Sequence, residues 1–345
     1  MRHYFSAVER LLAFRYMRAR RAEGFISVIA WFSLAGITLG VATLIVVMSV
    51  MNGFRAELVG RILGLNGHVS VYSKVAGGIV DYDDLALKIA EMPNVVAVTP
   101  QIEGQAMATQ NTVSLGAVVR GLRWSDLAVR KPLWDSLDEA EITGFREKNG
   151  VLIGHAMAFK LGVKTGDSVT LTTAKGKPTA FGTLPTRRNF PIVGIFDVGM
   201  YEYDSSFVFM PLALASDFFG YDGRVSALEI YAAAPENITL LRNLIGESLT
   251  DNLSAFDWIE RNRGFLNALR VERNVMFLIL TLIILVAAFN IISSMIMLVR
   301  SKNADIAVLR AMGASSGSIM RVFLMTGASI GVVGTTAGTV LGLVF

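Results

Sequence analysis

Three patterns in this chain invite a chemical reading. Gly327-Ala328-Ser329-Ile330-Gly331 matches G-x-S-x-G, the pattern that sets a serine nucleophile on a sharp strand-to-helix turn. His3, His68 and His155 are the imidazoles, and Asp81, Asp83 and Asp84 form a short acidic cluster. Context turns each of them away from catalysis. The serine pattern lies inside a long uncharged run, where glycines and serine read as helix packing. The histidines are scattered and lack H-E-x-x-H spacing, so no metal site is expected. The aspartates open a helical stretch, a place where carboxylates cap and complement the helix dipole. The chain has no cysteine, which excludes thiolate catalysis, a disulfide framework and Cys-ligated metals. No G-x-x-x-x-G-K-[ST] is present either, so the phosphate cradle of a P-loop ATPase is missing. No catalytic residue is expected.

The elements that hold these residues belong to a membrane protein. Of 345 residues, 53% are hydrophobic and 17% charged, against about 25% charged in a soluble domain. The net charge of +4 would suit nucleic acid if it sat on a globular surface, but it does not. Residues 1–24 carry six Arg and two Glu, residues 52–270 carry 21 basic and 24 acidic side chains, and residues 271–345 carry five basic and two acidic. The basic excess therefore flanks the apolar runs, and no nucleic-acid partner is expected.

Residues 25–51 contain no charge and read as a first membrane helix, about 40 Å long against a hydrocarbon core of roughly 30 Å. Residues 275–299 and 322–345 read as a second and a third. Arg2, Arg10, Arg15, Arg18, Arg20 and Arg21 precede the first span and only Arg55 and Arg61 closely follow it, which places the N-terminus in the cytoplasm. Residues 52–270 then lie outside the cytoplasm, and residues 300–321 form a short cytoplasmic loop. Three spans leave the C-terminus outside, so a truncated sequence lacking a fourth helix is expected. Residues 4–21 read either as a basic amphipathic helix on the inner face or as a plain positive-inside flank. Gly36 and Gly40 in the first span, and Gly327, Gly331, Gly334, Gly338 and Gly342 in the third, give small-xxx-small spacing. Such glycines let helix backbones approach where no hydrophobic effect drives association.

In the large loop, residues 68–73 and 94–100 read as strands around a helix at 81–92, and 225–233 as a strand followed by a helix at 236–249. These two groups, about 68–115 and 221–258, read as a split ferredoxin-like α+β domain carrying an inserted β-rich subdomain at about 116–220. Residues 168–198 read as two strands around a long hairpin whose tip holds Lys175, Lys177, Arg187 and Arg188. In the 300–321 loop, Asn303 is a candidate N-cap, and Ile306, Leu309 and Met312 make an apolar stripe. Gly313 suits a left-handed C-terminal turn, and Ser315 or Ser316 could cap the next helix.

Three stretches carry a more specific likeness: 18–69, which contains VMSVMNGF; 184–212, which contains VGMYEYDSS; and 275–327, which contains DIAVLRAMGAS. Together they resemble the LolC/LolE family, the membrane subunits of the lipoprotein-releasing ABC transporter. The last element is shared with the wider MacB/FtsX permease group. The resemblance implies a MacB-like ABC permease, an α+β membrane protein with a large periplasmic domain inserted after the first helix. It implies a multi-pass protein of the bacterial inner membrane, working as a dimer with a second copy or a paralogue. ATP, with Mg, would be used by a separate ATPase subunit; this chain would bind no cofactor. Further partners implied are the lipoprotein substrate, a periplasmic lipoprotein carrier and membrane lipid.

Residue by residue, the resemblance implies that Asp305, Ile306, Leu309, Arg310, Met312 and Gly313 dock on the ATPase. Here Arg300-Ser301-Lys302-Asn303-Ala304-Asp305 departs from the Glu-Lys-Arg-like residues of family members. Leu184, Pro185, Arg187 and Arg188 would form the contact surface of a carrier-binding hook at 174–190. Val47, Met48 and Met51 would line a lipoprotein cavity, or else lie on lipid-facing helix surface. The alternatives are a MacB-like efflux or mechanotransmission permease, and an FtsX-like regulator of a periplasmic hydrolase. MacB would carry a nucleotide-binding domain ahead of the first span, where only 24 residues stand here. An FtsX-like chain would have a much smaller first loop.

Overall fold

The computed structural model describes residues 24–345, apart from 76, 148–149, 174–177, 180–181, 184 and 235–237. The basic segment at 4–21 and the hook residue Leu184 lie outside the described residues. The chain divides into two compact units, one made of residues up to Ala56 with Asn267–Phe345, the other of Glu57–Leu266.

Helix α1 runs from Gly24 to Leu65 without a break, about 63 Å at 1.5 Å per residue. It outlasts the uncharged span expected at 25–51 because Leu58, Ile62 and Leu65 continue an apolar face at helical spacing. The Asn66 side chain donates back to the Ile62 carbonyl at 2.9 Å and closes the last turn.

The α+β unit follows in the order β1 (Val69–Ser73), α2 (Tyr82–Ala90), β2 (Val95–Gln110), β3 (Val113–Leu122), α3 (Lys131–Trp134), α4 (Glu139–Glu147), β4 (Val151–Gly154), α5 (His155–Leu161) and β5 (Ser168–Thr173). It continues through β6 (Pro178–Thr179), β7 (Gly182–Thr183), β8 (Thr186–Phe196), α6 (Tyr201–Ser206), β9 (Phe207–Pro211), α7 (Leu212–Phe219), β10 (Ala227–Ala232), α8 (Ile238–Ser248), β11 (Leu253–Asp257) and α9 (Trp258–Arg261). Nine strands form one sheet in the order β11-β1-β10-β2-β3-β9-β4-β8-β5, and β5 also pairs with β2. The first four, all antiparallel, have the strand order of a split β-α-β fold with α2 and α8 as its helices.

The remaining strands close on themselves through β2. This 16-residue strand pairs with β10 along its first half, with β3 from Gln101 to Gln110, and with β5 at Met107–Thr109. Closure of β2-β3-β9-β4-β8-β5 removes the free edges that an open sheet would expose. The boundary expected near residue 115 therefore falls inside β3, and one apolar core runs through both parts: Val69, Ile89, Ile230 and Ile245 belong to it with Val169, Ile192 and Phe218. The β5–β8 hairpin is antiparallel up to Thr173 opposite Thr186, and β6 pairs with β7 beyond it.

The other unit takes in α10 (Arg263–Ser301) from Asn267 onward, α11 (Asn303–Ala311) and α12 (Ser316–Val344). Three of the described helices are long and apolar enough to cross a membrane: within α1, α10 and α12. Where α12 meets α1, glycine sets the distance. A Cβ on Gly334 would stand 2.9 Å from Ile37 Cγ2, one on Gly338 2.6 Å from the Thr38 carbonyl oxygen, and one on Gly342 2.9 Å from Ile45 Cβ. Thr38 Oγ1 donates to the Gly334 carbonyl at 3.2 Å across the same seam. Gly40 meets Ile283 of α10 at ordinary distance, Gly327 faces Met295, Gly331 has open space, and Gly36 is half-buried. The seam is thus the 334/338/342 row.

Two capping expectations change. Lys302, not Asn303, occupies the N-cap of α11, and no side chain caps it. Asp81 holds the N-cap position of α2 in a left-handed conformation without a side-chain cap bond, and Asp83 is instead paired with Arg123. Ser315 does cap α12, accepting from the Ser318 N–H.

The seam makes a direct prediction. Gly338→Val overpacks it and should cost about 1–3 kcal/mol, read as a lower thermal midpoint of the detergent-solubilised protein, whereas Gly331→Val should leave the midpoint unchanged. Equal effects at the two positions would contradict the seam.

Candidate functional site

The loop between α10 and α12 is a helix held at both ends. Lys302 Nζ lies 3.5 Å from Asp305 Oδ2. Gly313, at φ 95°, lets the chain reverse, with the Gly313 and Ala314 N–H groups donating to the Arg310 and Leu309 carbonyls at 3.0 Å. The apolar stripe divides. Ile306 and Leu309 are half-buried within their own unit, while Val308 and Met312 stand 60% and 79% exposed, next to exposed Asp305, Arg310 and Gly313. The apolar surface open to a partner is therefore Val308 with Met312. Val308 escaped sequence reasoning because it sits between the stripe positions.

The hairpin also sorts its residues. Pro185, Arg187 and Arg188 are exposed. Arg188 lies opposite Leu171, on the face that turns inward, and Nη1 bonds Asp217 of α7 at 2.9 Å. Arg187, opposite Thr172 on the other face, has no ion-pair partner among the described residues. Strand alternation thus gives the two adjacent arginines different tasks.

On α1, Val47 and Met51 are half-buried and Met48 is exposed, followed by exposed Val50 and Phe54. An open groove of about 610 Å³ lies along α12, among Val333, Ala337, Val340 and Leu341. The hydroxyl of Ser329 donates to the Met325 carbonyl one turn back, the ordinary bond of a serine in a membrane helix. No group of three potential metal ligands occurs among the described residues.

Among the described residues, a heavily bonded side chain lies elsewhere. Glu229, in β10, has no solvent exposure. Its carboxylate accepts from the Gly67 N–H at 3.2 Å, Gln101 Nε2 at 3.1 Å and Arg130 Nη2 at 2.9 Å, with Arg261 Nη1 at 3.6 Å. Arg130, equally buried, also donates to Thr99 Oγ1 and to the Asp126 carbonyl. Beside them, Arg120 of β3 donates to Glu103 at 2.7 Å and to Asn66 Oδ1 at 2.8 Å, and Asn66 donates to the Tyr203 hydroxyl of α6. Burial pushes the Glu229 carboxyl up, but Arg130, Arg120 and Arg261 outweigh it and hold the group below the usual carboxylate range. Residue 67 must be glycine, since a Cβ there would stand 2.7 Å from Glu229 Cβ. The one signal in the sequence was an acid in the middle of an otherwise apolar strand, ALEIYA.

His68, at the start of β1, is the neighbouring titratable group. Its Nδ1 accepts the Ala232 N–H at 2.9 Å, which requires that nitrogen to be unprotonated, and burial lowers its pKa below 6.5 against the opposing pull of the Glu229 charge.

Comparison with known proteins matches residues 30–247 to the model of the MacB-like periplasmic core domain and residues 277–345 to that of the FtsX-like permease C-terminal region. The lipoprotein-releasing system transmembrane protein LolC of Neisseria meningitidis serogroup B is 34% identical over 98% of this chain and 81% of its own length. LolE of Haemophilus influenzae is 30% identical over 96% and 81%. The periplasmic region of MacB from Actinobacillus actinomycetemcomitans aligns at 12% identity and a TM-score of 0.37, covering 60% of this chain and 96% of that one.

The His68 geometry sets a pH dependence. The unfolded ring takes a proton near pH 6.5 and the folded one only below that, so acidification through that range favours unfolding. Wild type should lose thermal stability between pH 7.5 and 5.5 relative to His68→Asn, which keeps an acceptor for Ala232. Parallel curves for the two proteins would contradict a buried neutral imidazole.

Proposed function

The chain belongs to the LolC/LolE family of lipoprotein-releasing system transmembrane proteins, and from that membership we propose how its surfaces divide the work of an ABC permease in the bacterial inner membrane. The observation that carries the reading is the 34% identity to a LolC protein over 98% of this chain, since one alignment takes in the spans, the α+β unit and the α11 loop together. The chain is a non-catalytic subunit that extracts lipoproteins from the outer leaflet and passes them to a periplasmic carrier. A separate ATPase subunit hydrolyses ATP with its Mg, and a second permease, copy or paralogue, completes the transporter. The basic flank sets the N-terminus in the cytoplasm, which puts Glu57–Leu266 in the periplasm and α11 on the ATPase side.

The need for a motor follows from the substrate. At about 0.8 kcal/mol per buried CH₂, three long acyl chains hold a lipoprotein in the bilayer by on the order of thirty kcal/mol, too much for spontaneous escape into water. The chains must move between apolar surfaces. Val47, Met48 and Met51, with Val50 and Phe54 beyond them, offer such a surface where α1 leaves its uncharged run. Val308 and Met312, flanked by Asp305 and Arg310, suit a shallow apolar pocket on the ATPase, with Ile306 and Leu309 anchoring the helix from behind. Of the two described hairpin arginines, Arg187 is the one left for the carrier, because Asp217 already engages Arg188.

Depletion tests both the activity and the hook. Outer-membrane lipoproteins should accumulate in the inner membrane when the chain is depleted, wild-type chain should restore sorting, and Arg187→Glu should restore less than about a tenth of it. Normal sorting after depletion would remove the permease reading. Full rescue by Arg187→Glu would remove the hook contact alone.

A further inference from the structure

The bonds around Glu229 join segments that are remote in sequence. Gly67 lies two residues beyond the end of α1; Arg261 ends α9, two residues before α10 begins; Arg130 lies ahead of α3, in the connection between β3 and β4. The same cluster reaches the closed barrel through Arg120 of β3 and Tyr203 of α6, both bonded by way of Asn66. One turn earlier in α1, Arg61 donates to the Val198 carbonyl beyond β8, the strand that forms the hairpin. Arg261 also donates to Ser70 Oγ at 2.6 Å and so ties the approach to α10 to β1. One carboxylate therefore accepts from Gly67 just beyond α1 and from Gln101 of β2 in the barrel, and pairs with Arg261 on the approach to α10.

Stability alone does not call for this arrangement. A buried ion pair is seldom better than well-packed apolar side chains of the same volume. Its distinctive property is direction: apolar surfaces slide over one another, whereas charge-assisted bonds in a dry site hold one geometry and resist shear. The close approach at Gly67 adds a steric stop, because the backbone there rests against Glu229 Cβ.

We propose that Glu229 is the positioning residue through which α1 and α10 act on the barrel that carries the β5–β8 hairpin, with Arg130 and Arg261 as its arms and Gln101 as its link to β2. The proposal rests on the permease reading and adds to it the place where helix movement is converted into movement of the hairpin. Arg261 is the arm best suited to testing, since its side chain is 25% exposed and its loss opens no dry cavity.

The test uses the full chain with its ATPase and partner permease in proteoliposomes, supplied with a triacylated lipoprotein and the carrier, and reads lipoprotein delivered per ATP hydrolysed. Arg261→Met and Glu229→Gln should keep ATP hydrolysis within twofold of wild type while delivery per ATP falls at least tenfold. Arg261→Lys, which keeps the charge, should recover half or more. A merely structural cluster would lower the yield of complex and leave the ratio untouched, so an unchanged ratio in folded Arg261→Met overturns the proposal even if Glu229→Gln fails to assemble. Absence of delivery by the wild-type complex would instead remove the permease reading, and the proposal with it.

Discussion

The carboxylate of Glu229 is a charge with no access to water, and the fold around it is arranged to keep it ionised. Burial disfavours the charged form, so Arg130, Arg120 and Arg261 must be close, and the Gly67 N–H and Gln101 amide must point inward. Each requirement fixes a segment. Gly67 cannot carry a side chain, α1 must end at Leu65 so that its next residues can turn across β10, and the residues before α10 must return to the same point. Removing one partner would strand a buried charge, a far larger penalty than losing a surface ion pair. The strand topology serves the same end. By splitting β2 between two sets of partners, the chain carries Thr99 and Gln101 to the acid along one half and builds the barrel on the other.

A different force governs the helical unit. Lipid is as apolar as leucine, so helices there gain nothing by hiding side chains from each other and associate through close fit. Gly334, Gly338 and Gly342 supply that fit against Ile37, Thr38 and Ile45, while Phe32, Phe277 and Leu343 remain on the outside. The two units are thus built by opposite rules, a shape-matched glycine seam in one and a charge-paired polar cluster inside an apolar core in the other.

Local signals in the sequence announced what local physics decides. Runs without charge marked the long apolar helices, three of the glycines spaced four apart marked the seam, Gly313 and Ser315 marked the turn and cap around α11, and Ile238, Leu241 and Ile245 marked the buried face of α8. Long-range pairing was not legible. Nothing in Thr170–Thr172 says that it will meet Met107–Thr109, so barrel closure was missed and the stretch read as a separate insert. The difference between Arg187 and Arg188 depends on where α7 puts Asp217, and the Glu229 cluster depends on four segments meeting. The Asn303 cap failed because the short linker after α10 leaves Lys302 in the half-helical position.

The helical unit holds a close-packed glycine seam and an exposed apolar loop helix, and the α+β unit holds a buried polar cluster. As a lipoprotein-releasing permease, the chain serves to lift acylated proteins out of the bilayer. The direct measurement places the purified complex of this chain, its ATPase and its partner permease in vesicles bearing a radiolabelled triacylated lipoprotein, and follows label in the aqueous supernatant. The account predicts soluble lipoprotein only when ATP and carrier are both present, in amounts that rise with time. Label that stays with the vesicles under those conditions, while ATP is being hydrolysed, would contradict it.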